Sequence, residues 1–345
     1  MIERAGSVLE RAVARVGMSA TLAMLAMMSL VTGSAAQPLP PGMGQPAPWQ
    51  KNLQSPATEV AREINIFHDR VTIIITLITI FVLVLMVYVM FAFREGRNPS
   101  PSKTTHNTAL ELAWTIIPVI ILIVIAVPSF KLLYLQYSFP KPDLTIKAIG
   151  NAWYWEHEYP DHGNFKVTSN MVTDEEVIKG KIGADEFSKR YKGLSGLERE
   201  KRLYADAQPI WAERKEPRLL TVNNEIVVPL GKVVHVLVTA NDVIHNWTIP
   251  SFGSKVDAVP GRVTATWFRP EVAGIFYGQC SELCGKDHAF MPIAVRVVPE
   301  AVFTAWTDAM KARDRRRARE ILQKAEAEAP GRALAAVSRP DVKLD

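Results

Sequence analysis

The chain of 345 residues has two cysteines, and both lie in one short stretch, Cys280-Ser281-Glu282-Leu283-Cys284-Gly285-Lys286-Asp287-His288-Ala289-Phe290-Met291. A further histidine stands upstream in Asp242-Val243-Ile244-His245-Asn246-Trp247. Together they offer two thiolates, two imidazoles and a thioether, a donor set that suits copper. A mononuclear blue-copper site needs one Cys, two His and a weak axial Met, which leaves a thiolate over. Two thiolates can instead bridge two copper ions. Each ion then takes one His, with Met291 and a backbone carbonyl as weak outer ligands, and one electron spreads over the pair with little movement on reduction. Two plainer readings stand beside this one. A Cys280–Cys284 disulfide suits an oxidising compartment but leaves the spacing of His288 and Met291 unexplained. Zinc would accept two Cys and two His in a closed tetrahedral site. His245 taken alone reads as a core histidine.

The elements around these residues are short β-type runs broken by Pro, Gly, Asn and Asp: Leu144 to Ile149, Ala152 to Tyr159, Leu219 to Val222, Val233 to Ala240, Ile244 to Ile249, Thr264 to Phe268 and Ile293 to Val298. Their spacing predicts a β-sandwich or barrel over 142–299. A strand through Trp153-Tyr154-Trp155 would place Trp153 and Trp155 on one side and Tyr154 on the other. The segment Thr173 to Pro217 carries ten acidic and ten basic residues and reads as a solvated insertion with helix-forming stretches. Beyond Pro299, residues 300–345 form a charge-rich helical tail that is expected to be solvated.

Upstream, Val71 to Phe93 holds 23 residues without a charge and Leu112 to Phe130 another 19, each long enough to cross a bilayer. Pro118 and Pro128 in the second are tolerable where neighbouring helices satisfy the freed carbonyls. The fold class is therefore an α+β membrane protein, with a helical hairpin over 71–135 ahead of the β domain. Arg94, Arg97 and Lys103 place the connection between the spans in the cytoplasm, so both long flanks lie outside. Residues 1–36, with Arg4, Arg11 and Arg15, an apolar stretch and a small-residue end, read as a cleaved signal peptide. Residues 37–70 are a lead-in on the outer side, whose Pro-rich piece Pro38 to Pro48 is expected to be extended. The net charge of +5 comes largely from the two ends, and no nucleic-acid reading follows.

The strings Cys-Ser-Glu-Leu-Cys-Gly-x-x-His-x-Phe-Met-Pro and Asp-Val-Ile-His-x-Trp resemble the copper-binding motifs of cytochrome c oxidase subunit II. The likeness extends through Trp153-Tyr154-Trp155, Asp257-Ala258-Val259-Pro260-Gly261-Arg262 and Glu111-Leu112-Ala113-Trp114-Thr115-Ile116-Ile117-Pro118, over most of Trp49 to Val298. Asn151 stands where the family pattern favours Gln.

That resemblance implies a cupredoxin-like Greek-key sandwich whose dinuclear copper A centre takes electrons from cytochrome c and hands them to haem in subunit I. His245, Cys280, Cys284, His288 and Met291 would be side-chain ligands and Glu282 a carbonyl ligand, its carboxylate helping to hold magnesium against subunit I. Trp153 would be the electron entry and Glu111 the mouth of a proton pathway. Asp257 and Arg262 would contact subunit I. Glu156, Glu158, Asp161 and Asp242 would form an acidic docking patch for cytochrome c. The implied partners are subunits I and III, cytochrome c and membrane lipid, with no nucleic acid. The implied place is a bacterial inner membrane with the copper domain on the periplasmic face. Oxygen reduction coupled to proton pumping belongs to the assembly, since the chain has no spare histidines in its spans for haem. A copper-free quinol oxidase subunit and a thioredoxin-fold copper-delivery protein are the rival readings; the full ligand set and the Met291 spacing argue against them.

Overall fold

The computed structural model describes residues 44–100 and 102–328; the expected signal peptide and the last stretch of the tail lie outside the described residues. Two long helices come first, α1 (Glu59–Ala92) and α2 (Thr108–Gln136). Thr58 caps α1 by accepting the Ala61 N–H, and Asn107 caps α2 by accepting the Leu110 N–H. Both are long and apolar enough to cross a membrane, and neither buries its apolar window. Each helix outruns its uncharged stretch. The 34 residues of α1 span about 51 Å, well beyond a hydrocarbon core of about 30 Å. The surplus first turns of α1 dock under the β domain. There the Ala57 N–H donates to Ser251 O, the Thr58 hydroxyl donates to Phe252 O, and Arg62 pairs with Glu271 at 2.6 Å.

The β domain comprises β1 (Leu144–Asn151), β2 (Tyr154–Tyr159), β3 (Phe165–Ser169), β4 (Ile226–Pro229), β5 (Val234–Ala240), β6 (His245–Ile249), β7 (Ser254–Ala258), β8 (Thr264–Phe268), β9 (Gly274–Gln279) and β10 (Pro292–Val298). One sheet has the order β3-β2-β1-β5-β8, a second β4-β10-β9, and β6-β7 form a ribbon. β1 runs parallel to β5 and β4 parallel to β10, so these neighbours are reached by crossovers, as in a Greek key. Trp155, Tyr159, Trp247, Phe252, Phe268 and Phe276 are fully buried, and the Phe252 ring packs at a tilt against both Phe268 and Phe276. Gly278 is a packing requirement, because a Cβ there would lie 1.7 Å from the Thr248 carbonyl oxygen of β6.

Three sequence expectations change. Leu219 to Val222 is a turn with a single bridge, Met171 to Val222, rather than a strand. The charged segment 173–217 folds into α3 (Asp174–Ile182), α4 (Ala184–Arg190) and α5 (Gly196–Arg214). These close over their own apolar cluster of Val177, Ile178, Phe187, Tyr191, Leu203, Ala207 and Trp211. Its charges face water as ion pairs such as Lys181–Glu213. The tail, expected to be solvated, gives α6 (Glu300–Lys311) and α7 (Arg315–Glu328), and one face of it is buried. Phe303 and Trp306 of α6 pack on His162, Tyr159 and Phe165, because that face is apolar at helical spacing.

Candidate metal centre

The cysteine loop joins β9 to β10, which are antiparallel with Gln279 opposite Pro292. Cys280 follows β9 directly and Met291 precedes β10 directly, so the strand pair fixes both ends of the loop, and Cys280 N–H donates to Met291 O at 3.4 Å. The Ser281 N–H donates to Asn246 O, which docks the loop on β6, where His245 is the first residue. Gly285 takes φ +119, a conformation open to glycine, and a Cβ there would meet the Trp153 indole at 3.2 Å.

Two thiols form the middle of the cluster. Cys280 Sγ and Cys284 Sγ are 3.8 Å apart and unbridged. That separation is nearly twice a disulfide bond of about 2.05 Å. It is shorter than two metal–thiolate bonds of about 2.3 Å, so an ion can touch both sulfurs. The remaining donors are arranged evenly about the pair. Cys280 Sγ has His245 Nδ1 at 3.9 Å and the Glu282 carbonyl oxygen at 3.3 Å. Cys284 Sγ has His288 Nδ1 at 3.4 Å and Met291 Sδ at 3.4 Å. Each sulfur thus faces one imidazole and one weaker donor. The ligand atoms of His245, Cys280 and Cys284 all fall within 4.8 Å of one another, and those residues are buried.

Electrostatics divides the thiols. Burial opposes ionisation of Cys280, but hydrogen bonds with His245 and with the backbone at Glu282 and Asn246 outweigh it and bring the thiol down to about 7. Burial and then the neighbouring Cys280 charge push Cys284 up to about 12. The first proton leaves readily, and the second requires the charge of a cation, as coordinating thiols do. Burial disfavours the charged form of His245, yet Cys280 and Asp242 together raise its pKa.

Five supporting contacts escape sequence reading. Asp242 accepts from His245 Nε2 at 2.8 Å and from the Ala152 N–H at 2.6 Å. Trp155 Nε1 donates to Met291 O at 3.3 Å. Gly150 leaves room for the His245 ring, whose Cδ2 would lie 2.7 Å from a Cβ. Trp247 Nε1 donates to buried His157 at 3.4 Å. The Trp-Tyr-Trp alternation misled over Trp153. The strand starts at Tyr154, and Ala152-Trp153, joined by a cis peptide, forms the β1–β2 turn. Trp155 is buried in the core while Trp153 lies partly exposed on the cysteine loop, its Nε1 donating to Cys284 O at 3.1 Å. Both indoles nonetheless reach the same loop, Trp153 at Cys284 and Trp155 at Met291.

The other expected site residues are dispersed. Glu156 and Glu158 both pair with Lys166 at 2.7 Å, and Asp161 accepts the Thr145 N–H. Glu158 pairs with Lys147 in the sheet, five residues along the chain from Trp153, about 16 Å away. The four acids therefore do not make one unpaired patch beside Trp153; Asp242 is held by His245, and the rest lie along or beyond β2. Asp257 accepts from Asn246 at 2.7 Å, while Arg262 is exposed. Glu111 sits in the exposed first turn of α2, accepting the Asn107 N–H at 3.1 Å. Asn151 is buried and accepts from Asn241 at 2.8 Å.

Comparison with known proteins decides the family. The model for cytochrome c oxidase subunit II, periplasmic domain, matches residues 144–192 and 203–298, and that for its transmembrane domain matches 46–132. The chain belongs to the cytochrome c oxidase subunit II family. It is 42% identical over 262 residues to a probable cytochrome c oxidase subunit 2 of Rickettsia bellii, covering 76% of this chain and 84% of that protein. It is 40% identical over 269 residues to subunit 2 of Cereibacter sphaeroides, covering 77% and 82%. A crystal structure of the periplasmic domain of subunit II from Bradyrhizobium japonicum is 45% identical, covers 50% of this chain and 97% of that one, and has a TM-score of 0.38. As a subunit II chain it is part of a terminal oxidase, inserted in the membrane by α1 and α2, with a cupredoxin-like β domain. Residues 193–202, at the α4–α5 junction, fall outside the family match.

Proposed function

We propose that this subunit accepts electrons from reduced cytochrome c at a thiolate-bridged dinuclear copper centre and passes them to haem in subunit I. The oxidase then reduces oxygen to water and pumps protons. One observation carries the reading. His245, Cys280, the Glu282 carbonyl, Cys284, His288 and Met291 converge as two matched sets about sulfurs 3.8 Å apart. When bound, the copper pair supplies a one-electron carrier that changes shape little between its two states.

The chain's own residues hold that geometry. Asp242 and the space at Gly150 fix the ring of His245, and Trp155 fixes the carbonyl of Met291. Burial of His245, both cysteines and Met291 excludes water from the donors. Trp153 joins this interior to the surface through its bond to Cys284 O, which suits it to be the electron entry. The exposed carboxylate of Glu282 is free to hold magnesium against subunit I. Glu111 at the α2 terminus is the proton-entry candidate, and the copper domain faces the periplasm across an inner membrane. Subunits I and III are the assembly partners.

The test is an EPR spectrum of the full detergent-solubilised chain loaded with copper under mild oxidising conditions. Hyperfine structure from one electron shared equally by two copper nuclei is expected. A single-nucleus pattern, or a folded, copper-free chain with a Cys280–Cys284 disulfide, would overturn the proposal.

A further inference from the structure

The lead-in between Gly44 and Thr58 lies against the β domain and turns once at Pro48-Trp49. Its upper ends are pinned to the β domain: the Tyr277 N–H donates to Gly44 O at 2.7 Å, and Gln54 accepts from the Ser251 hydroxyl at 2.9 Å. Between the pins the chain makes a turn closed on itself. The Gln50 N–H donates to Ala47 O, the Ala47 N–H donates to the Gln50 side chain, and the Gln50 amide donates to Asn52 O. At the tip stands Trp49, with φ 60 and its side chain 96% exposed. A tight hydrogen-bonded turn that places a bare indole at its tip has no soluble-domain rationale, since the ring packs on none of the described residues.

Position supplies one. Asn65 of α1 donates to Gln54 O, and Asn52 donates to Asp69 of α1 at 3.4 Å. Stepping back along the lead-in from Gln54 to Asn52 therefore moves the contact from Asn65 to Asp69, about one helical turn or 6 Å toward the span. Asp69 and Arg70 are the last charges before the uncharged run that opens at Val71, so the turn lies level with the edge of the apolar layer. Exposed Lys51 and Arg70 stand at the same level, where headgroup phosphates would meet them. The outer end of α2 carries Tyr134 and Tyr137, exposed at 74% and 71%. Indoles and phenols favour this interface, where an apolar ring and a polar N–H or O–H are both satisfied.

We propose that the 46–53 turn is an interfacial anchor that seats Trp49 among the lipid headgroups on the β-domain side of the membrane and sets the height of the β domain above it. The partner is lipid, not protein.

The test compares wild type with Trp49→Phe, each as the full chain in lipid nanodiscs and in the assembled oxidase. Because the Trp49 side chain is 96% exposed, the variant keeps the fold, and the difference in emission isolates one indole among the eight in the chain. With bromine placed high on the acyl chains the difference emission should fall roughly twofold or more, and with bromine near the bilayer centre it should change little. Emission that ignores bromine at either depth places Trp49 in water and overturns the proposal. Quenching seen in the isolated chain but lost in the assembled oxidase places it under another subunit and overturns the proposal as well.

Discussion

Asp242 reaches forward three residues to hold Nε2 of His245 at 2.8 Å, leaving Nδ1 turned toward Cys280. Its second oxygen is tied to the Ala152 N–H and its first also accepts the Val243 N–H, so the carboxylate is fixed before it fixes the imidazole. Burial alone would raise the Asp242 pKa, but bonds from His245, Val243 and Ala152 hold it below the usual carboxylate range. Such carboxylate–histidine pairs set the tautomer and basicity of a metal ligand.

Asp242→Asn should therefore weaken copper binding about 10- to 100-fold while leaving the five ligand side chains in place. Chelator competition on the full chain measures this directly. Unchanged affinity would return Asp242 to the role of a surface acid.

Gly150→Ala attacks the same ring sterically. The new methyl would sit 2.7 Å from Cδ2 and 2.9 Å from Cγ of His245, so the imidazole must shift off its line to Cys280. Overpacking of this kind costs about 1–3 kcal/mol, and the copper stoichiometry should drop with the melting temperature. Gly96→Ala, which has nothing within 4 Å, is the control and should move neither.

The cluster at Cys280, Cys284, His288 and Met291 was legible because donor side chains sit at close spacings in one loop, and the spans because an uncharged run has a single reading. What surrounds them depends on tertiary approach. An acid three residues before a histidine looks like surface until β6 curls His245 back over it. The start of β2 was not legible, because alternating aromatics describe a strand and a tight turn equally well, and Trp153 lies in the turn. β9 was missed because Gly274 and Gly278 look like breakers, whereas Gly278 is small to admit the Thr248 carbonyl. The tail was legible as helical, and its burial in part: Phe303 and Trp306, three apart, mark a helical face that packs.

Arg296 on β10 is buried and meets Glu225 through two nitrogens and Glu326 of α7 at 3.1 Å through the third. Arg296→Ala leaves Glu225 buried without this charge and should destabilise by about 3–5 kcal/mol. Glu326→Gln loses only the partly exposed arm and should cost about 1 kcal/mol or less. Thermal unfolding of the full chain in detergent ranks the two. Equal losses would mean that α7 contributes as much as the buried pair.

His157 gives the domain an acid-sensitive element away from the thiols. It is buried between Trp155 and Trp247, and desolvation drives its pKa from the ordinary 6.5 to about 3. The folded state therefore keeps it neutral while the unfolded chain takes up a proton below pH 6.5. Between those limits the unfolded state binds more protons, so stability rises with pH and is lost on acidification from 6.5 toward 3. The slope from this one group approaches about 1.4 kcal/mol per pH unit. His157→Gln keeps an acceptor for Trp247 and removes the titration. Melting temperatures between pH 6 and 4 should fall more steeply in wild type than in the variant. Parallel curves would show that the acid sensitivity lies elsewhere.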